Sequence, residues 1–315
     1  QLGVRAGVGG GEPGEHRLTL LGRHGEDIRG DRVREAGMAG WIAEPGSDGE
    51  RRSRGEGMPI DFQAAGNAET YSGRAIDAGW SAAMRTIVDP AGKRVADIGC
   101  GGGLYSMAWA EMGAAVAGVD SSSSMAGAAK RSAAGHPRIS IGTGSAEATG
   151  LPANAFDIVF ERALVHHLAS LEPAFREAWR ILRPGGKLIV QDRTMDDVTA
   201  PASPNHLRGH FFAIFPRLLA VESGRRPQAE AVLSAMRACG FRDFHSFQLW
   251  ETRKIHAGVA ELAQDLRQRQ GRSLLHELDD AELDHLIEAV TRDLPARGGI
   301  TERDRWTLWT AAKHG

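Results

Sequence analysis

The segment Val95-Ala96-Asp97-Ile98-Gly99-Cys100-Gly101-Gly102-Gly103 decides the fold of this chain of 315 residues. It opens with an apolar run that carries one acid, as in a buried parallel strand, and continues as a tight glycine turn. Residues 104–112 then have the pattern of a helix. A glycine turn at a helix N-terminus brings the backbone close to a ligand and directs unpaired N–H groups toward it. The segment therefore predicts a site for a nucleotide-type ligand.

The composition is that of a protein with a hydrophobic core. Apolar residues make up 42% and charged residues 25% of the chain, with a formal net charge of −2 and a pI of about 6.7. This balance gives no overall field that would recruit nucleic acid or an anionic membrane. The two cysteines, Cys100 and Cys239, do not form a disulfide framework, and no long apolar run or signal peptide is evident. We expect a soluble, cytoplasmic protein.

Residues 1–57 differ in composition from the rest of the chain. They contain 15 of the 40 glycines and nine arginines, but only nine Leu, Ile, Val or Phe side chains. Such a segment buries too little apolar surface to offset the entropy of ordering it, so we expect disorder. Met58 stands where the globular composition begins, which favours a dispensable extension or translated upstream sequence. An arginine-rich arm for nucleic acid is the alternative. Residues 58–315 are then the folded domain.

Strand-like apolar runs alternate with helical patterns in the middle of the chain. The runs are 95–98, 114–120, 139–141, 155–161 and 187–192. This alternation predicts an α/β fold, a three-layer αβα sandwich around a parallel sheet. The carboxyl ends of its strands meet at one edge, where ligands bind at the switch point.

The flanking regions complete this domain. The patterns predict helices within 59–88 and at 228–238, strands at 241–255 and 305–312, and a helical insertion at about 259–294. The less regular segment 200–226 contains three prolines and the aromatic cluster Phe211, Phe212 and Phe215. We expect segments 200–226 and 259–294 to form the lid and the acceptor-selecting wall of the site. With His206 and His210, the phenylalanines line an apolar pocket or, alternatively, form core beneath a long loop.

The glycine spacing separates two kinds of nucleotide site. A nicotinamide or flavin site has the pattern G-x-G-x-x-G, and its third glycine would fall on Leu104. Here Gly99, Gly101 and Gly103 alternate, and Asp97 precedes them by two residues. A carboxylate beneath the turn disfavours a pyrophosphate and suits a ligand with an amino group. An aminoacyl nucleoside is favoured, and a nicotinamide-dependent oxidoreductase is the alternative.

The Asp97-x-Gly99-x-Gly101-x-Gly103 pattern resembles the first motif of the class I S-adenosylmethionine-dependent methyltransferases. Further motifs through 95–192 resemble the ubiquinone/menaquinone-biosynthesis-type branch, which acts on small molecules. They are Val119-Asp120-x-Ser122-x-x-Met125, Ser145-Ala146-Glu147, Leu151-Pro152, Phe156-Asp157, Val165-His166-His167-Leu168 and Leu182-Arg183-Pro184-Gly185-Gly186-Lys187. The resemblance implies a Rossmann-like fold with a seven-stranded, mostly parallel sheet whose last strand is antiparallel. It also implies methyl transfer from S-adenosyl-L-methionine to a small organic molecule by direct in-line displacement.

The resemblance also implies roles for individual residues. Asp97 lies near the amino group of the cofactor, Asp120 binds the ribose diol and Ala146 contacts adenine through its backbone. Relatives often have Asp at the position of Ser145, so either the affinity for adenine is lower here or Glu147 is a substitute acceptor for the adenine amino group. The implied cofactor-binding set is Tyr71, Asp97, Gly99, Cys100, Gly101, Gly103, Asp120, Ser121, Met125, Ser145, Ala146, Glu147, Glu161 and Arg162. Core packing is the alternative for Met125, and a surface ion pair is the alternative for Glu161 and Arg162.

His166 and His167 are the candidate catalytic residues. They follow the fourth strand, and an imidazole titrates near physiological pH, as a general base requires. Capping or wall-building is the alternative for each. Adjacent histidines rarely reach one metal ion, so we expect no metal site there. Residues 58–315 also have no basic stripe interleaved with aromatic residues, which disfavours nucleic acid as the acceptor. A non-catalytic cofactor-binding relative is a further alternative.

Overall fold

A computed structural model of the chain describes residues 76–269, 271–292, 294 and 298–315. In this part of the chain, seven strands form one sheet in the order β3-β2-β1-β4-β5-β7-β6. The strands are β1 (Arg94–Ile98), β2 (Ala115–Asp120), β3 (Ile139–Thr143), β4 (Phe156–Arg162), β5 (Leu182–Asp192), β6 (Arg242–His256) and β7 (Ile300–Ala312). Pairing is parallel from β3 to β5, and β7 is antiparallel to β5 and β6. The predicted fold class is confirmed.

Helices pack on both faces of the sheet. Those described are α1 (Ala78–Ile87), α2 (Leu104–Glu111), α3 (Ser123–Ser132), α4 (Leu171–Ile181), α5 (Met195–Val198), α6 (Arg208–Ile214), α7 (Leu218–Ser223), α8 (Ala229–Ala238), α9 (Val259–Arg267) and α10 (Asp280–Arg292), with 3-10 turns at Val165–His167 and Ser273–Glu277. Side-chain caps begin several of them. The Asp77 carboxylate accepts from Trp80 N–H, the Ser122 hydroxyl from Met125 N–H and the Thr194 hydroxyl from Asp197 N–H. The expected helical insertion at 259–294 is present as α9, the second 3-10 turn and α10.

Three apolar clusters form the core. Trp80, Trp109 and Phe160 pack edge to face under α1 and α2 on one face of the sheet. On the other face, α4 and α8 cover the strands. The third cluster lies among α6, α9 and α10 and contains Phe211 and Phe212, both buried. These two phenylalanines therefore form core, which was the alternative to an acceptor pocket.

Two strands begin earlier than the sequence predicts. β5 starts at Leu182 rather than 187, and the register against β4 shifts between Phe156 and Ile158 to accommodate Pro184-Gly185-Gly186. β7 starts at Ile300 rather than 305 because β6 pairs with it along its whole length. The predicted segment 59–75, the extension 1–57 and Tyr71 lie outside the described residues.

The glycine turn after β1 uses backbone conformations that favour glycine. Gly99, Gly101 and Gly103 have φ angles of 72°, 54° and 85°. A Cβ atom on Gly103 would lie 3.1 Å from Ala129 Cβ and 3.2 Å from its Cα, whereas a Cβ on Gly101 would meet nothing within 4 Å. The third glycine of the motif therefore allows α3 to pack closely against the turn.

We expect Gly103→Ala to lower the free energy of unfolding more than Gly101→Ala. Both alanines must adopt a left-handed conformation, at a cost of roughly 1–2 kcal/mol. Gly103→Ala also presses on the backbone of α3, which adds about 1–3 kcal/mol. Urea denaturation of both variants measures the difference. Equal losses would show that the contact with Ala129 imposes no constraint.

Candidate functional site

The chain reverses its winding direction between β1 and β4, which opens a crevice at the carboxyl edge of the sheet. The turn after β1 leads to α2 on one face, and the loop after β4 leads to α4 on the other. The predicted site residues follow the carboxyl ends of β1 to β4, and the structure brings these ends to this edge.

Three N–H groups of the glycine turn are bonded within the protein. The Val119 carbonyl accepts two of them, at 2.8 and 3.1 Å, and Asp120 Oδ2 accepts a third at 2.9 Å; the donors are Gly99, Cys100 and Gly101. These three N–H groups are therefore engaged within the protein. Without free donors, this part of the turn does not offer the anion site that a pyrophosphate requires.

Asp120 connects the end of β2 to the turn. Besides the bond from Gly101, its Oδ1 accepts from Ser122 N–H at 2.8 Å. A carboxylate has about four lone-pair sites, so two remain for hydroxyl donors such as a ribose diol. Ser121 beside it is exposed.

Asp97 lies beneath the turn and is 2% exposed. Its Oδ2 accepts from Ser106 Oγ of α2 at 2.6 Å. Burial raises the pKa of Asp97 to about 7, with Asp120 adding to the rise and Ser106 and Arg162 opposing it. The sequence did not indicate Ser106, which is the only described side chain that donates to this carboxyl.

The loop after β3 carries Ser145, Ala146 and Glu147. Ser145 Oγ accepts from Ala148 N–H at 3.1 Å, so this hydroxyl oxygen already caps its own loop. Ala146 is buried, while Glu147 is exposed and has no described hydrogen bond.

Two other predicted site residues are buried. Met125 is 4% exposed on α3, in agreement with core packing. Cys100 is also buried, and its burial raises the pKa of its thiol.

Glu161 and Arg162 end β4 and point to opposite faces of the sheet. Glu161 is 1% exposed, and its Oε2 has no hydrogen-bond partner. Burial raises the pKa of this carboxyl to about 8, and Glu147 contributes to the rise. Arg162 lies over the rings of Tyr105 and Trp306, with its guanidinium carbon 4.2 and 4.0 Å from their centroids.

Arg162 forms one wall of a small polar cavity. Its Nη2 lies 2.8 Å from Glu251 Oε2 of β6, an ion pair of two nearly buried side chains. Asp77, Arg253 and Asp304 complete the lining together with the aromatic rings. Residues from β6 and β7 therefore contribute to the site, although no sequence motif marked them.

His166 forms a pair with Asp192 at the end of β5. Its Nδ1 lies 2.8 and 3.0 Å from the two carboxylate oxygens. Burial lowers the pKa of His166 and lowers that of His167 to about 3, so both imidazoles are neutral at pH 7. Because the carboxylate can only accept, Nδ1 carries the proton and Nε2 is the basic nitrogen.

Asp192 also belongs to a buried ion network. Burial opposes its ionisation, but His166 and Arg226 outweigh that and hold its pKa below the ordinary value. Arg226 also bonds Glu222 of α7, and Arg208 of α6 lies between Glu222 and Asp304. The network therefore ties segment 200–226 to the edge of the sheet.

Two other histidines have structural partners. His206 Nδ1 lies 3.1 Å from the Pro201 carbonyl oxygen, and this contact bridges the two ends of the loop at 201–206. Within the described chain, three potential metal ligands come within 4.8 Å of one another: His256, Asp265 and Glu302. Arg272 donates to both carboxylates, so this cluster is an ion-pair network.

The order of strands and the position of the turn define the fold of the class I methyltransferases. Residues 96–190 match the family model described as a methyltransferase domain. The resemblance to the class I S-adenosylmethionine-dependent methyltransferases is thereby confirmed for this part of the chain. Among the described residues, no helix is both long and apolar enough to cross a membrane.

Curated relatives and solved structures agree with this class. The ubiquinone biosynthesis O-methyltransferase of Sinorhizobium medicae is 38% identical over 100 residues, 31% of this chain and 40% of the relative. The malonyl-acyl-carrier-protein O-methyltransferase of Serratia marcescens is 34% identical over 98 residues, 31% of this chain and 37% of the relative. The match thus spans about two fifths of each curated relative.

A solved structure with the same fold is phosphoethanolamine N-methyltransferase 2 of Haemonchus contortus, in complex with S-adenosyl-L-methionine. Its TM-score is 0.51 at 18% identity, over 81% of this chain and 60% of that chain. At this identity the similarity supports the fold alone.

We expect Asp192→Asn to lower the free energy of unfolding at pH 7 by about 3–5 kcal/mol, because it leaves buried Arg226 facing a neutral amide. The pKa of Asp192 is lowered in the folded state, so its stabilisation is present above its unfolded pKa and is lost as pH falls. Denaturation at pH 7 and in acid measures both effects. The control is Asp196→Asn, an exposed position. Equal losses in the two variants would contradict the network.

Proposed function

We propose that this protein is an S-adenosyl-L-methionine-dependent methyltransferase that methylates an oxygen atom of a small organic molecule in the cytoplasm. The observation that carries the proposal is the glycine turn, where the N–H groups of Gly99, Cys100 and Gly101 bond within the protein and carboxyl groups lie nearby. Asp97, Asp120, Glu147 and Glu161 all lie at this edge. Such a site favours a nucleoside with a positive charge over a dinucleotide with a pyrophosphate.

The residues at the edge fit the cofactor. Asp120 keeps free lone pairs for ribose hydroxyls, and the left-handed glycines allow a close approach of the ligand to the backbone. The loop at Ser145, Ala146 and Glu147 is the proposed adenine side, with Glu147 as the acceptor for the amino group because Ser145 Oγ already accepts from Ala148. When bound, the cofactor supplies an electrophilic methyl group on a sulfonium.

Orientation of the acceptor is the main task of the chain. Holding two reacting groups in line contributes roughly 7–11 kcal/mol to a barrier reduction. The cavity beside Arg162, Tyr105 and Trp306 lies on the proposed acceptor side. We propose that segments 200–226 and 259–294 cover this side and select the acceptor, since the ion network ties the first of them to Asp192.

His166 is the proposed general base. The curated relatives are named O-methyltransferases, and a hydroxyl acceptor loses its proton on methylation. Nε2 of His166 takes that proton, while Asp192 holds Nδ1–H and stabilises the imidazolium that forms. His167 packs on His166 with ring centroids 3.9 Å apart and acts as a positioning residue.

Calorimetry with S-adenosylhomocysteine and with NADH tests the cofactor assignment. We expect S-adenosylhomocysteine to bind and NADH not to bind. Asp120→Ala should weaken binding by about tenfold or more, because it removes the proposed ribose acceptor and releases Gly101 of the turn. Glu111→Ala, at an exposed position on α2, is the matched control. Binding of NADH instead of S-adenosylhomocysteine would overturn the proposed function.

His166→Gln should lower the transfer of radiolabelled methyl groups into a metabolite extract by about 10²–10⁴-fold. Because the pKa of His166 is lowered, the wild-type rate should fall only as pH drops below the ordinary histidine range. The pH profile of label transfer measures this. His245→Gln, on an exposed position of β6, should retain the rate. A loss no larger than that of the control would remove His166 as the base.

A further inference from the structure

Glu161 is a buried carboxyl without a partner. Its side chain is 1% exposed, its Oε2 is fully enclosed, and no residue of the described part of the chain forms a hydrogen bond with it. Buried acids are rare unless they are paired, and a lone ionised carboxylate carries a large desolvation penalty. An orphaned polar group of this kind at the carboxyl edge of the sheet indicates a ligand that supplies the missing partner.

The neighbouring charged groups do not neutralise Glu161. Glu147, from the loop after β3, is a further carboxyl group nearby, and its charge raises the pKa of Glu161. Asp97 lies on the other face of β1, bonded to Ser106, and Asp120 holds the turn. The neighbouring cation on its own strand, Arg162, points to the opposite face and pairs with Glu251.

On the side of β5, the basic groups are also engaged. His166 is neutral and bonded to Asp192, and Arg226 pairs with Asp192 and Glu222. Across residues 76–269 and the later described ranges, no cation forms an ion pair with Glu161. A cationic ligand is the group that would complete this site.

We propose that Glu161 holds a proton in the free protein and releases it to solvent when the cationic methyl donor binds, so that its carboxylate neutralises the donor's charge. This inference rests on the proposed function. The register places Glu161 beside Ile98, the residue before Gly99, at the point where the turn begins. The side chain lies on the same face as Ile98 and Val190, at the switch point of the sheet.

The same carboxylate distinguishes the donor from the product. S-adenosylmethionine carries a sulfonium, whereas S-adenosylhomocysteine has a neutral thioether. After transfer, the carboxylate faces no sulfonium and takes up a proton again, so the product is held less tightly than the donor. The pKa of about 8 in the free protein means that this proton is present at pH 7. Well above pH 8 Glu161 is already ionised, and donor binding releases almost no proton from it.

The first test uses the wild-type protein. Calorimetry at pH 7 in two buffers of different ionisation enthalpy reports the protons released on binding. We expect close to one proton for S-adenosylmethionine and fewer for S-adenosylhomocysteine, with the difference lost at pH 9. The ionisation of Glu161 should raise donor affinity by about 25-fold from pH 6.5 to 8.5, while product affinity changes little. Equal proton release with both ligands at pH 7 would overturn the inference.

The second test uses Glu161→Gln, which keeps the shape and removes the charge. We expect the preference for S-adenosylmethionine over S-adenosylhomocysteine to fall by about tenfold or more, with product affinity retained. Glu111→Gln, at an exposed position of α2, should keep the wild-type preference. Equal weakening of both ligands, or no change, would overturn the inference while leaving the proposed function intact. Failure of both ligands to bind the wild-type protein would overturn the function and this inference together.

Discussion

The Asp120 carboxylate holds the glycine turn in the shape on which the whole edge of the sheet depends. It accepts from Gly101 N–H and Ser122 N–H, while the Val119 carbonyl before it accepts two further turn donors. β2 thereby fixes a turn that begins on β1. Because these donors face the protein, a ligand meets left-handed glycine backbone and acidic side chains there. This is the reverse of a phosphate-binding loop, although both start from glycines at the N-terminus of a helix.

A second constraint couples the covering segments to the sheet. Asp192 ends β5 and contacts both His166 and Arg226, and Glu222 of α7 neutralises Arg226 in turn. Each of these charges is buried, so each needs its partner in place to avoid a desolvation penalty. The position of segment 200–226 and the orientation of the His166 ring therefore depend on the same set of contacts. On the proposed function, the same contacts position segment 200–226 over the acceptor side and orient the base His166.

The sequence predicted the central strands well and the distant partners poorly. β1 to β4 were located to within two residues because apolar runs between helical patterns have few alternatives. β7 was placed five residues too late, since residues 300–304 contain three consecutive charged side chains and form a strand by pairing with β6. The parallel arrangement predicted that the acids at the strand ends share one edge of the sheet. It did not predict the bonds from Arg162 to Glu251 and from His166 to Asp192, because these partners are 89 and 26 residues apart and no local sequence pattern connects them.

The last two residues of β4 assign opposite charges to the two sides of the crevice. Successive side chains of a strand point to opposite faces, so Glu161 and Arg162 cannot neutralise each other. Arg162 is bound by Glu251 and held between Tyr105 and Trp306, while Glu161 Oε2 has no hydrogen-bond partner among the residues that the structure describes. On the proposed function, the unpaired anion lies on the side of the positively charged donor. On the same proposal, the stacked Arg162 lies on the side where an acceptor oxygen would carry negative charge as its proton leaves. A shift of one residue in the register of β4 would exchange these two environments, so the pairing of Ile98 with Glu161 sets the polarity of the site as well as the geometry of the sheet.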